Sequence, residues 1–221
     1  MSNTTVLTET QITFLKLLGE QEFISKNFYL SGGTALAGFY VPYRYSEDLD
    51  FFCVNEFDVM PITTFWKSKQ KEFGIQEVEY QQSFNRNLYF LKLRDEVLKI
   101  EFTFYPFERI EIGRSEFGLE IDSLLDIAVN KLFTIYQQSR ARDYIDLFMI
   151  CKEKNYTIAD LISKAKVKFD WHIDPIQLGA QFLKSKEARD YPRLIANIDK
   201  AEWQDFFEIE AIKLKSQILE P

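Results

Sequence analysis

Residues 31–52 read SGGTALAGFYVPYRYSEDLDFF, and two features of this stretch indicate both the fold and the chemistry of the protein. Gly32-Gly33 is typical of a turn that leads into a short helix, which Pro42 then ends. Asp48 and Asp50 follow, directly before an apolar run. A strand that begins with concentrated negative charge needs a compensating cation, so the stretch raises the question of what supplies the positive charge.

The two aspartates are candidate metal ligands. Asp48 and Asp50 lie two residues apart at the start of a predicted strand, so their side chains point to the same side. Paired carboxylates suit a hard cation such as Mg²⁺ or Mn²⁺. Glu101 is a third candidate, because a glutamate within an apolar strand must be paired, protonated or metal-bound. Structural alternatives stay open, namely turn capping or solvent exposure for the aspartates and a Lys99–Glu101 pair across the sheet face.

The glycine turn has a complementary role. Backbone N–H groups at a turn into a helix N-terminus bind phosphate, and Thr34 adds a hydroxyl. A glycine pair alone usually means only a turn. Gly33 is, however, followed fifteen positions later by Asp48 of the Asp-x-Asp pair. This combination predicts a nucleotide site with phosphates on the turn and a metal ion on the carboxylates.

The composition limits the classes of function. The 221 residues include 27 Lys and Arg against 34 Asp and Glu, for a net charge of −7, and 46% are hydrophobic. The 21 Phe and 11 Tyr support a folded, aromatic-rich core. An acidic chain is a poor general nucleic-acid binder, because neutralising phosphates needs clustered Lys and Arg, although a local basic groove is not excluded.

Several kinds of site are disfavoured by what the chain lacks. Cys53 and Cys151 lie far apart outside any metal-binding spacing, and we interpret them as reduced, buried thiols. With His172 as the single histidine, a zinc site or a Ser-His-Asp triad is disfavoured. No apolar run approaches the ~20 residues of a membrane span. Residues 1–11 carry neither the basic nor the apolar region of a signal peptide, so we expect a cytoplasmic protein without a membrane partner.

The first half of the chain mixes helices and strands. A capping box at Thr8 and Gln11 begins a helix that Gly19 ends. The further helices predicted in this half cover residues 34–39 and 61–73, and the predicted strands cover residues 28–30, 49–54, 75–80, 88–93 and 97–105. The last three strands are short, aromatic and separated by polar turns, which is typical of an antiparallel meander.

The pattern becomes helical from Asp122. Ser123 and Asp126 are typical of a helix start, and apolar residues at helical spacing follow. The later predicted helices cover residues 142–152, 158–166, 175–186 and 200–219.

This order of elements predicts an α+β fold, with a mixed, mostly antiparallel sheet flanked by helices and followed by a C-terminal helical bundle. We expect two domains, an αβ core at residues 1–120 and a helical region at residues 121–221.

These motifs together resemble the AbiEii/AbiGii-type toxin nucleotidyltransferases, which belong to the polymerase-β-like nucleotidyltransferase superfamily. The resemblance is carried by GGTAL at 32–36, RYSEDLDF at 44–51, AVNKLF at 128–133 and RARDYIDL at 140–147. The matching blocks span about residues 29–150, so the helical tail beyond them carries no matching motif. The resemblance implies a nucleotidyltransferase-like core whose active site the helical region completes.

The resemblance also implies a role for each matching residue. The implied metal ligands are Asp48 and Asp50, with Glu101 matching a third strand carboxylate by position. The implied nucleotide-binding residues are Gly32, Gly33, Thr34, Arg44, Ser46 and Lys131. The implied catalytic residues are Asp48, Asp50, Glu101 and Lys131, with Asp143 or Asp146 completing the site. Ser31 departs from the pattern, since relatives commonly have a lysine there, which leaves Lys131 and Arg44 to supply charge.

Two of these residues also allow structural interpretations. Lys131 lies on the apolar face of its helix, where it extends either to solvent or toward a carboxylate and phosphate site. Asp143 either acts in the site or caps its helix and pairs with Arg140. Both alternatives stay open at the level of sequence.

The resemblance implies a metal-dependent enzyme that moves a nucleoside monophosphate from a nucleoside triphosphate (NTP) to an acceptor hydroxyl. It further implies the toxin of a toxin–antitoxin or abortive-infection system, with a cognate antitoxin, and some relatives modify tRNA 3′ ends. Lys164, Lys166 and Lys168 would then contribute to an RNA groove, or else form a solvated face. The alternatives are transfer to a small molecule or protein, and a nucleotide-binding module without activity.

Overall fold

The computed structural model describes residues 6–138 and 140–219, with side chains through residue 215. Across these residues the chain forms nine α-helices and seven strands, divided between two compact units. We call them the sheet unit, with residues up to Phe39, Ser46–Glu108 and Gly113–Asp122, and the helical unit, with Tyr40–Tyr45, Arg109–Ile112 and the chain from Ser123 onward.

The sheet unit contains every described strand and the first four helices. The helices are α1 Glu9–Gly19, α2 Glu22–Asn27, α3 Gly32–Phe39 and α4 Met60–Lys69. The strands are β1 Tyr29–Ser31, β2 Leu49–Cys53, β3 Glu77–Ser83, β4 Arg86–Lys92, β5 Val97–Phe104, β6 Ser115–Glu116 and β7 Leu119–Ile121. Their order in the sheet is β3-β4-β5-β2-β1-β7-β6.

The sheet is mixed and mostly antiparallel, as predicted. Only β1 with β7 and β2 with β5 run parallel among the described strand pairs. The predicted meander is confirmed, because β3, β4 and β5 pair in sequence with antiparallel registers. Side chains of the central strand β2 alternate between two faces of the sheet. Leu49, Phe51 and Cys53 are buried, while Asp50 and Phe52 lie on a half-exposed face.

The buried face of the sheet is aromatic. Phe51 of β2 stacks on Phe102 of β5 with ring centroids 5.3 Å apart, and Phe28 meets Phe102 edge-on at 5.1 Å. Such pairs add to the free energy that the burial itself supplies, by about 0.5–1.5 kcal/mol each. This core fixes the pairing of β2 with β5 and therefore fixes which residues lie opposite on the other face.

Helix boundaries differ from the predictions where glycine geometry intervenes. α3 begins at Gly32 and not at Thr34, because Gly32 itself makes the turn with φ of +70°. α4 ends at Lys69 and a turn carries the chain to Gly74, which has φ of +64°. α2 and the β6–β7 hairpin were not predicted, since such short elements carry too few residues to show a period.

The helical unit contains five α-helices of the described chain. They are α5 Leu124–Gln137, α6 Ala141–Lys154, α7 Ile158–Phe169, α8 Pro175–Leu183 and α9 Lys200–Leu219, with a 3₁₀ turn at Lys184–Lys186. Ser123 caps α5 by accepting a hydrogen bond from the main-chain N–H of Asp126, as predicted. The segment Tyr40–Tyr45 joins this unit through a bridge between Arg44 and Leu194.

Both cysteines are buried free thiols, in agreement with the sequence interpretation. Burial raises the pKa of Cys151 to about 12 and also raises the pKa of Cys53, so both thiols stay protonated at neutral pH. Among the described residues, no helix combines the length and the apolar character that crossing a membrane requires. Residues 1–5 of the segment inspected for a signal peptide lie outside the described residues.

Candidate active site

Three adjacent strands carry a row of polar residues across the half-exposed face of the sheet. Ser31 at the end of β1 is the register partner of Asp50 in β2, and Asp50 is the partner of Glu101 in β5. Register partners point to the same face, and neighbouring strands lie about 4.8 Å apart. The register therefore brings Asp50 and Glu101 side by side, although they are distant in the sequence.

The carboxylate of Asp48 is paired with a lysine of the same face. Lys99 Nζ lies 2.7 Å from Asp48 Oδ2 and 3.8 Å from Glu101 Oε2. Lys99 precedes Glu101 by two residues in β5, so strand alternation places both on one side. The cation that the acidic stretch requires is therefore the ammonium group of Lys99.

Glu101 is buried and held by three hydrogen bonds. Arg86 Nε donates to Oε1 at 2.6 Å and Arg86 Nη2 to Oε2 at 2.5 Å, while Thr103 Oγ1 donates to Oε1 at 2.7 Å. Burial by itself raises the pKa of Glu101, but the bonds from Arg86 and Thr103 and the charges of Arg86 and Lys99 outweigh it and lower the pKa. Glu101 is therefore ionised at neutral pH. A carboxylate accepts about four hydrogen bonds, so these three bonds leave one acceptor position on Oε2.

The turn between β1 and α3 approaches Asp50 closely. A Cβ atom on Gly32 would lie 2.5 Å from Asp50 Oδ2, and the positive φ of this residue disfavours other side chains as well. The carboxylate thus lies against the first residue of a helix, where main-chain N–H groups have no intrahelical acceptors. Gly32 and Gly33 are both in the first turn of α3, as a phosphate-binding turn requires.

The hydroxyl of Thr34 is directed away from its predicted nucleotide-binding role, whereas the role of Ser46 stays a prediction. Thr34 is fully buried, and its hydroxyl donates to the main-chain carbonyl of Asp48. Ser46 accepts a hydrogen bond on its main-chain carbonyl from Gln11 Nε2 at 2.7 Å. Thr34 and Gln11 therefore hold the segment that carries Ser46 and Asp48, and the hydroxyl of Thr34 is not presented to a phosphate.

The chemistry of this site fits a hard divalent cation. In the part of the chain that the structure describes, no three His, Cys, Asp or Glu side chains converge closely enough to hold a metal ion by themselves. Asp48 and Asp50 nevertheless offer oxygen ligands from one face, and Mg²⁺ typically uses one or two carboxylates with water and substrate phosphates. A cation bound there would take the place of Lys99 at Asp48.

A second charged cluster lies in the helical unit, around Asp146 of α6. Arg44 donates to Asp146 through Nε at 2.7 Å and Nη2 at 2.9 Å, and Lys131 Nζ lies 2.6 Å from Asp146 Oδ2. The hydroxyl of Tyr43 also donates to Asp146. Burial tends to raise the pKa of Asp146, but the charges of Lys131 and Arg44 and their hydrogen bonds lower it.

Asp143 completes this cluster one helical turn away. Lys131 Nζ lies 2.7 Å from Asp143 Oδ1, and Arg140 Nε lies 3.0 Å from Asp143 Oδ2. The pairing of Asp143 with Arg140 was one of the structural alternatives, and the contact to Lys131 adds a second partner. Lys131 points inward, with 12% of its side chain exposed, and so does not extend to solvent.

The buried position of Arg44 bears on its predicted role. Its residue is 4% exposed, and it donates to Asp146 and to the carbonyl of Tyr45. Burial lowers its pKa in part, but the carboxylate of Asp146 raises it overall. A contact between Arg44 and a nucleotide phosphate would break this ion pair, so the described contacts favour a structural role.

The three lysines proposed for an RNA groove differ in burial and pairing in the structure. Lys168 Nζ lies 2.6 Å from Asp126 Oδ1, and both side chains are completely buried. The expectation that Lys168 lines a groove or a solvated face is therefore wrong, because its ammonium neutralises a buried carboxylate. Lys166 is exposed and Lys164 is half-buried.

Sequence reasoning missed Arg86 altogether. Its position lies in a stretch taken as a turn, whereas β4 begins at Arg86 and pairs it with Thr103 of β5. A signal was present in β5, where Lys99, Glu101 and Thr103 recur with period two among apolar neighbours. This period indicates that one face of β5 is polar. In a meander, charged side chains on such a face require side-chain partners from the neighbouring strand.

A mixed sheet with this carboxylate row beside a glycine-initiated helix is the arrangement expected of a nucleotidyltransferase. A family model described as the nucleotidyl transferase AbiEii toxin of type IV toxin–antitoxin systems matches residues 16–209, and the chain belongs to this family. The resemblance found in the motifs is thus confirmed, and the match extends beyond them into the helical tail.

The chain is also similar to individual proteins. A crystal structure of JHP933 from Helicobacter pylori aligns with a TM-score of 0.60 at 21% identity, covering 97% of this chain and 95% of that one, which supports the fold. An uncharacterized protein of Aquifex aeolicus (strain VF5) is 29% identical over 148 residues, which is 66% of this chain and 68% of that protein.

Proposed function

We propose that the protein moves a nucleoside monophosphate from an NTP to an acceptor hydroxyl in a reaction that depends on a divalent cation. The observation that carries this proposal is the register of Asp50 with Glu101 next to Gly32. This arrangement brings carboxylate oxygens and main-chain N–H groups close together on one face of the sheet. Metal-assisted phosphoryl transfer uses groups of these two kinds.

Asp48 and Asp50 are the proposed direct ligands of Mg²⁺ or Mn²⁺. Glu101 lies beside Asp50 but does not converge with both aspartates on one ion, so its Oε2 would contact the cation through a bound water molecule. When bound, such a cation neutralises the charge that develops on the phosphate oxygens. Arg86 and Thr103 hold Glu101 in one orientation, so that its free lone pair keeps a fixed direction. Fixed ligand orientation is what the supporting residues of a metal site provide.

The proposed phosphate contacts are the N–H groups of Gly32 and Gly33 and the side chains of Lys99 and Arg86. The N–H groups of a helix start attract anions, and α3 starts at these glycines. Lys99 and Arg86 are partly exposed, which leaves both cations accessible from the half-exposed face. The phosphate contact predicted for Lys131 remains a prediction, since Lys131 lies in the helical unit and is paired there.

The lowered pKa of Glu101 makes this carboxylate a weak base. A general base is most effective when its pKa lies near the working pH, which Glu101 does not satisfy. Asp143 and Asp146 are fully buried within ion pairs. We therefore propose that the reaction depends on positioning and on electrostatic stabilisation by Lys99 and by the cation that Asp48 and Asp50 would hold.

The proposed biological role is that of a toxin with a cognate antitoxin, as the family description implies. We propose tRNA as the acceptor, with a cationic small molecule or a protein hydroxyl as the second candidate. The second candidate is favoured by one observation, the net charge of −7, because an acidic surface attracts cations more strongly than RNA.

The test is incubation with each labelled NTP, Mg²⁺ and total tRNA, followed by tracing of the label. We expect labelled tRNA, and a loss of at least about 100-fold in rate for Asp48→Ala or Asp50→Ala, since each removes a proposed ligand of the cation that would stabilise charge at the reacting phosphate. Glu47→Ala is the matched control: Glu47 is exposed and adjacent, and we expect nearly normal transfer.

Other results would redirect the proposal. Label on the protein or on a small molecule supports the second acceptor class. Binding of NTP and Mg²⁺ without labelling of any acceptor contradicts enzymatic transfer and supports a binding module. Equal loss of transfer in Glu47→Ala and Asp48→Ala contradicts the assignment of these carboxylates.

A further inference from the structure

Three successive main-chain carbonyls of the segment that leads into β2 are held by two buried side chains. Gln11 Nε2 donates to the carbonyl of Ser46 at 2.7 Å and to that of Glu47 at 3.3 Å. The hydroxyl of Thr34 donates to the next carbonyl, that of Asp48. Gln11 is 3% exposed and Thr34 is completely buried, so both donors are shielded from solvent.

Gln11 has a second function at the same time. Its Oε1 accepts a hydrogen bond from the main-chain N–H of Thr8 at 3.0 Å, and Thr8 Oγ1 accepts one from the N–H of Gln11. This is the capping box of α1, which sequence reasoning predicted. One amide group therefore caps α1 through its oxygen and holds residues 46 and 47 through its nitrogen.

The position of Asp48 depends on these bonds for a simple reason. Residues 46–48 precede β2, so the ladder that fixes Asp50 does not include them. The two donors are buried, and a buried donor left unpaired costs about 1–3 kcal/mol, which makes the held conformation strongly preferred. Reactive groups displaced by about 1 Å lose rate by roughly 100-fold, so the hold on this segment matters for chemistry.

We infer that Gln11 and Thr34 are positioning residues, which fix the carboxylate of Asp48 relative to Asp50 through the main chain of residues 46–48. The inference assigns Thr34 a role different from a phosphate contact and gives Gln11 a role beyond capping. It rests on the proposed function for its catalytic consequence, but the ordering of the segment can be measured without any activity.

The test uses paired variants. Thr34→Val removes the hydroxyl with similar shape, and Thr34→Ser restores it. Gln11→Met removes both functions of the amide, whereas Thr8→Ala removes the side-chain cap and leaves the bonds to the carbonyls of Ser46 and Glu47 intact. Thermal unfolding then reports the cost of the lost cap, and hydrogen–deuterium exchange of residues 46–50 reports the order of the segment.

We expect exchange in this segment to rise about three- to tenfold in Thr34→Val and Gln11→Met and to stay normal in Thr34→Ser and Thr8→Ala, since one hydrogen bond contributes that factor. In transfer assays, kcat should fall at least about tenfold in Thr34→Val and recover in Thr34→Ser. These variants keep Asp48 itself.

Two results would overturn the inference. Exchange in Gln11→Met equal to that in Thr8→Ala would show that Gln11 acts only as a cap. Normal exchange and normal kcat in Thr34→Val would show that the hydroxyl does not position Asp48. If the wild-type protein transfers no label but the exchange pattern holds, the proposed function fails and the structural hold on the segment stands.

Discussion

At the scale of single residues, the acidic stretch is neutralised within the sheet itself. Lys99 lies against Asp48 and Arg86 against Glu101, so two cations accompany the three carboxylates of the face. The ammonium of Lys99 occupies the position next to Asp48 that a divalent cation would need. The two cations compete for one carboxylate, and this competition is open to measurement.

Lys99→Met should therefore tighten binding of Mn²⁺. Loss of a direct competitor for Asp48 should lower the Kd by about tenfold, which corresponds to roughly 1.4 kcal/mol. Titration of Mn²⁺ followed by electron paramagnetic resonance measures the affinity without any reaction. Lys92→Met is the matched control, because Lys92 is also a lysine of the sheet unit but pairs with Glu77 and not with Asp48. An equal effect of both variants would show a general field effect in place of competition.

Gly32→Ala should perturb the site through Asp50. The substitution combines an unfavourable φ with a Cβ placed 2.5 Å from Asp50 Oδ2. Gly74→Ala is a matched control, since Gly74 also has positive φ but would meet nothing within 4 Å. We expect the unfavourable φ to lower the free energy of unfolding of both variants by about 1–2 kcal/mol. Only Gly32→Ala should lose additional stability and bind Mn²⁺ more weakly. Chemical denaturation and metal titration measure the two effects, and identical behaviour of the variants would contradict the contact.

At the scale of elements, the helix pair α5 and α6 is joined by a buried ion cluster. Lys131 of α5 bridges Asp143 and Asp146 of α6, and Arg44 holds Asp146 from the segment before Ser46. Burial tends to lower the pKa of Lys131, but the charges of Asp146 and Asp143 raise it. These residues keep their charges because each is paired, which is the condition for burying them.

Asp146→Ala should destabilise the helical unit by about 3–5 kcal/mol, because it leaves Arg44 buried without its carboxylate. Glu153→Gln on the same helix is the control: Glu153 is exposed, so its loss should change stability by less than about 0.5 kcal/mol. Urea denaturation followed by circular dichroism compares the two. A wild-type midpoint in Asp146→Ala would mean that the cluster contributes nothing to stability.

At the scale of the whole molecule, the ion pairs predict how stability depends on pH. The pKa values of Glu101 and Asp146 are lowered from their ordinary values of 4.5 and 3.8. When pH falls below these values, the unfolded chain takes up protons that the folded one does not. The stabilisation is therefore fully present above about pH 4.5 and lost progressively as pH falls further.

Thermal unfolding between pH 7 and pH 3 tests this dependence. We expect the Tm to stay nearly constant down to about pH 5 and then fall, because the lowered carboxylate pKa values place the loss in the acid range. Glu101→Gln should start from a lower Tm and show a shallower fall, since one of the two shifted groups is absent. A fall of equal steepness in this variant would exclude Glu101 as a contributor.

Local sequence patterns predicted the regular elements well. The capping box at Thr8 and Gln11, the cap at Ser123 and the meander before Tyr105 depend on neighbours within a few residues, and all three are present. The family is also determined at this level, since GGTAL and the Asp-x-Asp pair are local motifs.

Only the tertiary structure decided which charges meet. The register of β2 with β5 sets Asp50 beside Glu101, and the packing of the helical unit buries Lys168 with Asp126. Local periodicity shows which face a side chain occupies, but the identity of its partner depends on contacts between distant segments. For this reason the sequence alone raised the question of what balances Asp48, and the pairing of strands supplied the answer, Lys99.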